Sequence, residues 1–162
     1  MGYRLRGGTF DVKIEVYISN GKGTPIQDIN HKNDILSRDE NAVIQVETAT
    51  FAYWNYDLKC QIDLEATTID QSTSLHYINP IKKRRLKLKY LLRAWTLTED
   101  DNEVIKIEFD PAQNCMSEKF YHDNIIGQNP LDPVILDAFV SRADMVLEWG
   151  MSAEEVNTPY PK

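Results

Sequence analysis

The sequence predicts a mainly β (α+β) protein, an antiparallel β-sandwich or strongly curled sheet of roughly six to eight strands with a packed C-terminal helix. Three observations predict it: segments of alternating polarity before residue 110, turn dipeptides between them, and one long apolar helical pattern near the C-terminus. A length of 162 residues with 42% hydrophobic residues suits one domain with a buried core. We therefore expect a single domain over 1–162, with a β-rich core over 9–110 and a helical region over 111–162.

The first strand is predicted by apolar residues at alternate positions from Phe10 to Ile18. Asn20-Gly21 then predicts a tight hairpin turn, since this dipeptide readily adopts positive φ angles. Pro25 places the returning strand at a sheet edge. Residues 27–42 are polar and rich in turn formers, which predicts a loop that contains at most a short helical turn.

The segment 43–56 is rich in β-branched and aromatic residues, but its alternation changes phase, which predicts a bulge near Thr48. Alternation over 58–66 predicts the next strand and puts Cys60 on its apolar face as a buried structural thiol. Residues 73–78 are expected to form a short strand before Asn79-Pro80.

Residues 86–97 allow two interpretations. Apolar residues alternate with mostly basic ones from Leu86 to Ala94, which favours a strand, whereas Leu, Lys and Arg are good helix formers. We expect the strand, followed by a turn at 99–102 and a returning strand with Ile105, Ile107 and Phe109. A helix at 86–97 would also overturn this hairpin.

The C-terminal region predicts helices. Residues 116–126 are expected to form a short helix that Gly127 terminates. Asp132 is a suitable N-cap and Pro133 suits the first helical position of a helix that Gly150 ends. Its polar stripe consists of Asp137, Ser141, Asp144 and Glu148. Ser152 and Glu155 form a capping-box pattern for one last helical turn.

Several classes of protein and site are excluded by what the sequence lacks. No apolar run is long enough for a membrane span, and the N-terminus has no apolar signal segment. Two cysteines cannot build a disulfide framework, the three histidines are scattered, and no phosphate loop or nucleophile elbow occurs. Cys115 lies in a polar segment that would leave its thiol open to reaction. We expect no catalytic residues, metal or cofactor, and a cytoplasmic or virion location.

The most distinctive charge pattern is a basic run that contains seven positive residues and no acid. Its members are Lys82, Lys83, Arg84, Arg85, Lys87, Lys89 and Arg93. Lys87, Lys89 and Arg93 are explained by a solvated strand face paired with Glu103 and Glu108. Residues 82–85 are expected in a loop at one end of the sheet, where either acids from elsewhere in the fold or an acidic partner would neutralise them, and we favour the partner. Replacing these four residues with Ser is predicted to weaken assembly without affecting folding.

Aromatic residues suggest a second contact surface. Neighbouring strand residues point to opposite faces, so Tyr53 and Trp54 require cover on both sides of a sheet. Trp95 raises the same requirement, since it shares the parity of the basic residues. Either the C-terminal helix or another subunit supplies that cover. We therefore include Tyr53, Trp54 and Trp95 with residues 82–85 as candidate partner-binding residues.

Residues 85–95 read Arg-Leu-Lys-Leu-Lys-Tyr-Leu-Leu-Arg-Ala-Trp. This segment is similar to a central strand in the N-terminal domains of tail-terminator proteins from contractile injection systems, which carry Leu-x-Leu-x-Tyr-Leu-Leu-x-Ala. The long N-terminal helix with which such proteins usually begin is missing from this sequence. The resemblance implies a neck or terminator-like component.

These observations predict a non-enzymatic structural or interaction subunit of a larger assembly, with a virion or phage-tail component as the most specific form. Its partners would be other protein subunits in a homo- or hetero-oligomer, arranged head to tail if copies of this chain pair. The alternative is a small nucleic-acid-binding or nucleic-acid-processing protein that uses the basic run 82–93.

Overall fold

The computed structural model describes residues 8–19, 22–99 and 102–157 and shows an α+β protein. Its strands are β1 (Thr9–Ser19), β2 (Lys22–Pro25), β3 (Val43–Ala52), β4 (Thr67–Ile69), β5 (His76–Ile78), β6 (Leu92–Trp95), β7 (Phe109–Asp110) and β8 (Cys115–Met116). Its helices are α1 (Ile29–Arg38), α2 (Tyr56–Glu65), α3 (Pro80–Leu91), α4 (Glu118–Tyr121), α5 (Pro133–Leu147) and α6 (Ala153–Val156). A π-helical segment, His122–Ile126, continues α4.

The strands form one four-stranded antiparallel sheet and two separate two-stranded ribbons. The order in the larger sheet is β2-β1-β3-β6, while β4 pairs with β5 and β7 pairs with β8. One sandwich or curled sheet of roughly six to eight strands is therefore not confirmed. Among the described residues, helices hold more of the chain than strands, which corrects "mainly β" to α+β.

The first predicted strand is confirmed as β1, whose alternate residues Phe10, Val12, Ile14 and Val16 are buried. It pairs with β2 in an antiparallel register that sets Ser19 opposite Lys22. The predicted turn residues Asn20 and Gly21 lie outside the described residues. Strand β2 is at one edge of the sheet and ends at Pro25, as the sequence predicted.

Within residues 27–42, Ile29–Arg38 form a ten-residue helix, α1, where a loop with a short helical turn was expected. The side chain of Asp28 caps this helix by accepting a hydrogen bond from the His31 backbone amide at 2.8 Å. Strand β3 follows and ends at Ala52, with Ala49 and Phe51 buried on one face. The bulge near Thr48 stays a prediction.

The strand expected over 58–66 is wrong, because these residues belong to helix α2. The side chain of Asn55 accepts from the Leu58 amide at 2.8 Å and caps the helix. Ile62 and Ala66, four residues apart, are buried, while Leu64 is 75% exposed. The alternating apolar pattern is therefore also compatible with a helix, because it contains apolar residues four positions apart, and residues at this spacing lie on the same helical face.

The strand expected over 86–97 is also wrong for most of its length. Residues up to Leu91 belong to α3, and only Leu92–Trp95 form a strand, β6. Thr98 forms an antiparallel bridge with Val104, and the Asn102 amide donates to the Glu99 carbonyl oxygen at 2.9 Å. The central residues of the predicted turn, 100 and 101, lie outside the described range. Strand β7 pairs with β8 across the turn at 111–114, and not with the basic segment.

The C-terminal predictions are confirmed. Asp132 caps α5 by accepting from the Val134 amide at 3.0 Å, and Pro133 occupies the first turn. Gly150 follows α5 with a φ of +70°, and Ser152 with Glu155 forms the capping box of α6. The short strand β5 and the short helix α4 were likewise expected within 73–78 and 116–126.

The chain divides into two compact units that interleave along the sequence. The first consists of Met1–Phe10, Phe51–Arg93 and Lys106–Leu131, and the second of Asp11–Thr50, Ala94–Ile105 and Asp132–Lys162, of which only the residues described above are considered. The single-domain organisation stays a prediction. No helix within the described residues has the length and apolar character needed to cross a bilayer.

Candidate functional site

The cluster Lys82, Lys83, Arg84 and Arg85 lies in the first half of α3, which corrects the expected loop. Successive residues of an α-helix are separated by about 100° around its axis. The four cations therefore point in different directions and do not project together from one end of a sheet. Each basic residue has to be considered with its own surroundings.

Helix α3 begins at Asn79-Pro80. The Asn79 side-chain oxygen accepts hydrogen bonds from the backbone amides of Ile81 at 3.0 Å and Lys82 at 3.1 Å. Pro80 occupies the first helical turn, where its missing N–H is not needed. The sequence therefore starts a helix with the same Asx-Pro signal that begins α5.

Lys83 is neutralised within its own unit. Its ammonium group lies 2.8 Å from a carboxylate oxygen of Asp63 on α2, and both side chains are partly buried. For Lys83, the acid therefore comes from elsewhere in the same chain, which is the alternative to the favoured partner. In contrast, within the described residues the exposed side chains of Lys82 and Arg85 have no ion pair.

Lys87 and Lys89 are buried, with 4% and 6% exposure, where a solvent-facing strand was expected. The Lys87 ammonium lies 5.4 Å from the centre of the Trp54 ring. Lys89 pairs with Glu118 and lies 5.3 Å from the centre of the Tyr121 ring. Carboxylate pairing and aromatic faces both stabilise a desolvated ammonium group. These two lysines therefore contribute to the interior of the unit.

Arg93 ends the basic run in a half-buried position on β6. Its guanidinium donates to the backbone carbonyl oxygens of Tyr90 at 3.2 Å and Leu92 at 3.4 Å. Its predicted strand-face pairing is replaced by these local contacts. The basic run is thus divided between an interior part and an exposed part.

A pocket of about 570 Å³ lies beside the first half of α3, and we call it the α3 pocket. Its polar lining is provided by Glu65, Asn79, Lys82, Arg85, Lys89 and Tyr121. Its apolar lining is provided by Ile81, Leu86 and Ile126. The two exposed cations without an ion pair therefore border a cavity that also has apolar walls.

Two tyrosines near this pocket differ in their hydrogen bonds. Tyr90 donates from its hydroxyl to a Glu65 carboxylate oxygen at 2.6 Å, and burial followed by this bond raises its pKa. Tyr121 is 6% exposed, and its hydroxyl makes no hydrogen bond with the described residues. Burial raises the pKa of Tyr121 to about 12, so its phenol stays protonated at neutral pH. No sequence pattern pointed to Tyr121, since its place in the pocket depends on the position of α4 beside α3.

The aromatic candidates contact other residues of the same chain. Tyr53 packs against Phe10 with ring centres 4.8 Å apart, and the centre of the Trp54 ring lies 5.6 Å from the Lys59 ammonium and 5.4 Å from the Lys87 ammonium. Trp95 is buried, and its indole N–H donates to the Ile105 carbonyl at 2.8 Å. Tyr53 and Trp54 follow the end of β3 and are half-buried, so the expected placement of these two residues on opposite faces of a strand is wrong.

The two thiols have the opposite exposure to that predicted. Cys60 is exposed on α2, whereas Cys115 is buried on β8. Burial raises the pKa of Cys115, which keeps the thiol protonated and suppresses its reactivity. Within the part of the chain that the structure describes, no group of three or more His, Cys, Asp or Glu side chains is arranged to hold a metal ion.

The β4–β5 ribbon carries an apolar surface that sequence reasoning missed. Ile69 and Ile78 share one face of the ribbon, since their opposite partners are His76 and Thr67. The large apolar side chains exposed on and around it, by 46–75%, are Leu64, Ile69, Leu75, Tyr77, Ile78 and Ile81. Ile81, three residues after Ile78 in the sequence, also lines the α3 pocket.

No protein-family model, curated protein or solved structure matches this chain, so its function has to be inferred from the α3 pocket and the β4–β5 ribbon.

Proposed function

We propose that this chain is a non-enzymatic interaction subunit of a larger protein assembly, with a virion or phage-tail component as its most specific form. It would associate with copies of itself, head to tail, through the β4–β5 ribbon and the exposed cations of α3. The observation that carries the proposal is the set of exposed apolar side chains on and next to the ribbon, of which Ile81 also lines the α3 pocket together with Lys82 and Arg85. Exposed apolar side chains with charged neighbours are typical of protein contact sites.

The charge distribution supports a second copy as the partner. Seven of the 18 positive residues belong to the basic run, which leaves 11 positive against 25 negative residues in the rest of the chain. An acidic surface on one copy therefore complements the exposed cations on the next. Complementary charge of this kind steers association and fixes its orientation.

The tail-terminator resemblance no longer supports the virion assignment. It implied a central strand over 85–95, but residues up to Leu91 form α3. The proposal of a virion or phage-tail component therefore requires that the chain be found in such a particle. The proposal of an interaction subunit requires only the exposed residues of the β4–β5 ribbon and α3.

Binding of nucleic acid is the alternative function, and the filter-binding measurement described below tests it. A stripe of seven cations along 82–93 would suit a phosphate backbone. The structure instead pairs Lys83 with Asp63 and Lys89 with Glu118, and it buries Lys87. Fewer cations are therefore presented to a polyanion than the sequence suggests.

The first prediction concerns assembly. Replacing all four residues 82–85 would break the Lys83–Asp63 pair, so the sharper variant is the double charge reversal Lys82→Glu with Arg85→Glu. We expect the wild-type chain to self-associate in analytical ultracentrifugation, and the variant to associate at least about tenfold more weakly because two attractive charges become repulsive.

The matched control is Lys106→Glu with Lys119→Glu, which changes the same charge at two exposed positions of the same unit. It is expected to associate as the wild type does. Filter binding with single- and double-stranded oligonucleotides completes the experiment. A strictly monomeric chain that binds oligonucleotide with a steep salt dependence would overturn the proposal.

A further inference from the structure

We infer that the α3 pocket seats a carboxylate group of the partner chain between Lys82, Arg85 and the Tyr121 hydroxyl, with an adjoining aliphatic group against the apolar walls. This inference rests on the proposed function and names the chemical group that the pocket would recognise. It adds a binding site to what was otherwise a general contact surface.

The cations of the pocket are arranged on one face of α3. Lys82 and Arg85 are three residues apart, a spacing that puts side chains next to each other on a helix. Both line the pocket, and neither has an ion pair within the described residues. The first amides of α3 already donate to Asn79, so the charged side chains supply the recognition.

Tyr121 provides a second and independent observation. Its side chain is more than nine-tenths buried and lines the pocket, yet its hydroxyl has no hydrogen-bond partner among the described residues. Tyr121 is also missing from the fully enclosed side-chain atoms that lack a partner, so its oxygen is accessible to solvent. Because Tyr121 lines the pocket, this hydroxyl can donate a hydrogen bond to a carboxylate oxygen bound there.

The charge of the lining favours a singly charged ligand. Glu65 lines the same pocket, and the ammonium group of Lys89 is already paired with Glu118. These carboxylates would repel the second charge of a phosphate monoester more than they would repel a carboxylate. Carboxylates are also the anions that the chain itself supplies, with 25 Asp and Glu residues.

The apolar walls define the remainder of the ligand. Ile81 is 51% exposed and Ile126 is 42% exposed at the pocket, and Leu86 lies behind them as a buried residue. An aliphatic group next to the carboxylate would remove this surface from water. A peptide segment that combines an acidic residue with an aliphatic neighbour has both groups.

The second prediction tests the pocket with small probes. Isovalerate carries a carboxylate and a branched aliphatic group, while isovaleramide has nearly the same shape without the charge. In NMR titrations of the full chain, we expect isovalerate to shift backbone amide signals of residues 80–86 and 121 saturably, and isovaleramide to leave them unchanged. Inorganic phosphate is the third probe, and binding tighter than that of isovalerate would overturn the choice of a carboxylate.

Tyr121→Phe keeps the buried ring and removes only the hydroxyl. We expect it to weaken isovalerate binding about fivefold, the size of one lost hydrogen bond, with a spectrum that otherwise matches that of the wild type. Lys82→Glu with Arg85→Glu is expected to abolish binding, while Lys106→Glu with Lys119→Glu is expected to leave it unchanged. Equal binding by the wild type and Tyr121→Phe would overturn the role of the hydroxyl.

The two proposals fail in different ways. If the charge reversal weakens self-association but isovalerate shifts no signals at the pocket, the contact surface stands and the carboxylate site is wrong. If isovalerate binds at the pocket but the wild-type chain stays monomeric at all concentrations, the carboxylate site stands and self-association is wrong.

Discussion

Gly127 occupies a position where a side chain has no room. A Cβ atom built there would overlap the backbone carbonyl oxygen of His122, at the start of the π-helical segment. The φ angle of Gly127 is −75°, which any residue adopts. The glycine is therefore required by close backbone approach and not by the left-handed conformation that a helix C-cap commonly uses.

The third prediction follows from this approach. Gly127→Ala is expected to lower the free energy of unfolding by about 1–3 kcal/mol, the usual effect of forcing atoms into a filled space. Urea denaturation measures the shift in midpoint. Gln128→Ala, at the exposed neighbour, should change stability by less than about 0.5 kcal/mol. A Gly127→Ala variant as stable as the wild type would show that the backbone relaxes without strain.

Two lysines of α3 are buried, although lysine is usually an exposed residue. Lys87 and Lys89 are almost fully buried, because their aliphatic stems pack in the interior and their ammonium groups reach aromatic faces. The alternation of Leu with Lys predicted that Lys87 and Lys89 face solvent on a strand, and this prediction is wrong. The exposed cations Lys82 and Arg85 were among the candidate partner-binding residues, and that assignment stays a prediction.

At the scale of elements, helix-capping residues indicate the secondary structure of this chain better than alternation of apolar and polar residues does. Asp132-Pro133 was correctly interpreted as a helix start, and Asn79-Pro80 is the same type of signal two residues before the basic cluster begins at Lys82. Asn55 also caps a helix that alternation had assigned to a strand. A residue pattern with period two includes pairs four apart, so it fits one face of a helix as well as one face of a strand.

The fourth prediction tests the helix start at Asn55. Asn55→Ala removes the side-chain acceptor of the Leu58 amide and is expected to lower the free energy of unfolding by about 1 kcal/mol. Asn55→Asp keeps an acceptor in the same place and should leave stability nearly unchanged. Both are measured by urea denaturation. Equal losses in the two variants would mean that the amide group, and not the cap oxygen, stabilises this region.

At the scale of the whole molecule, the sequence predicted β1, the edge strand β2 and the helices α4, α5 and α6, where the hydrophobic pattern and capping residues agree. It did not predict the division of strands into three sheets, since pairing between strands depends on contacts far apart in sequence. The α3 pocket was not predicted for the same reason. Lys82 and Arg85, which were named as partner-binding candidates, lie within four residues of Ile81 in the sequence, whereas Tyr121 comes from a distant segment.

The fifth prediction uses the two thiols to follow opening of the fold. In the native protein, Ellman's reagent is expected to react promptly with the exposed Cys60 and slowly with the buried Cys115. Burial also raises the pKa of Cys115, so less thiolate is present at a given pH. Cys60→Ser should remove the fast phase alone, and denaturation in urea should make both thiols fast. Two fast thiols in the native protein would contradict the burial of β8.

The shortness of the β4–β5 ribbon has a consequence for solubility. Each of its strands has three residues, and the apolar side chains around them are largely exposed. Longer strands with such exposed side chains would promote edge-to-edge aggregation of the chains. Three residues offer too few backbone hydrogen bonds to template a growing sheet. The ribbon can therefore expose apolar side chains without also exposing a long strand edge on which fibrous aggregates could grow.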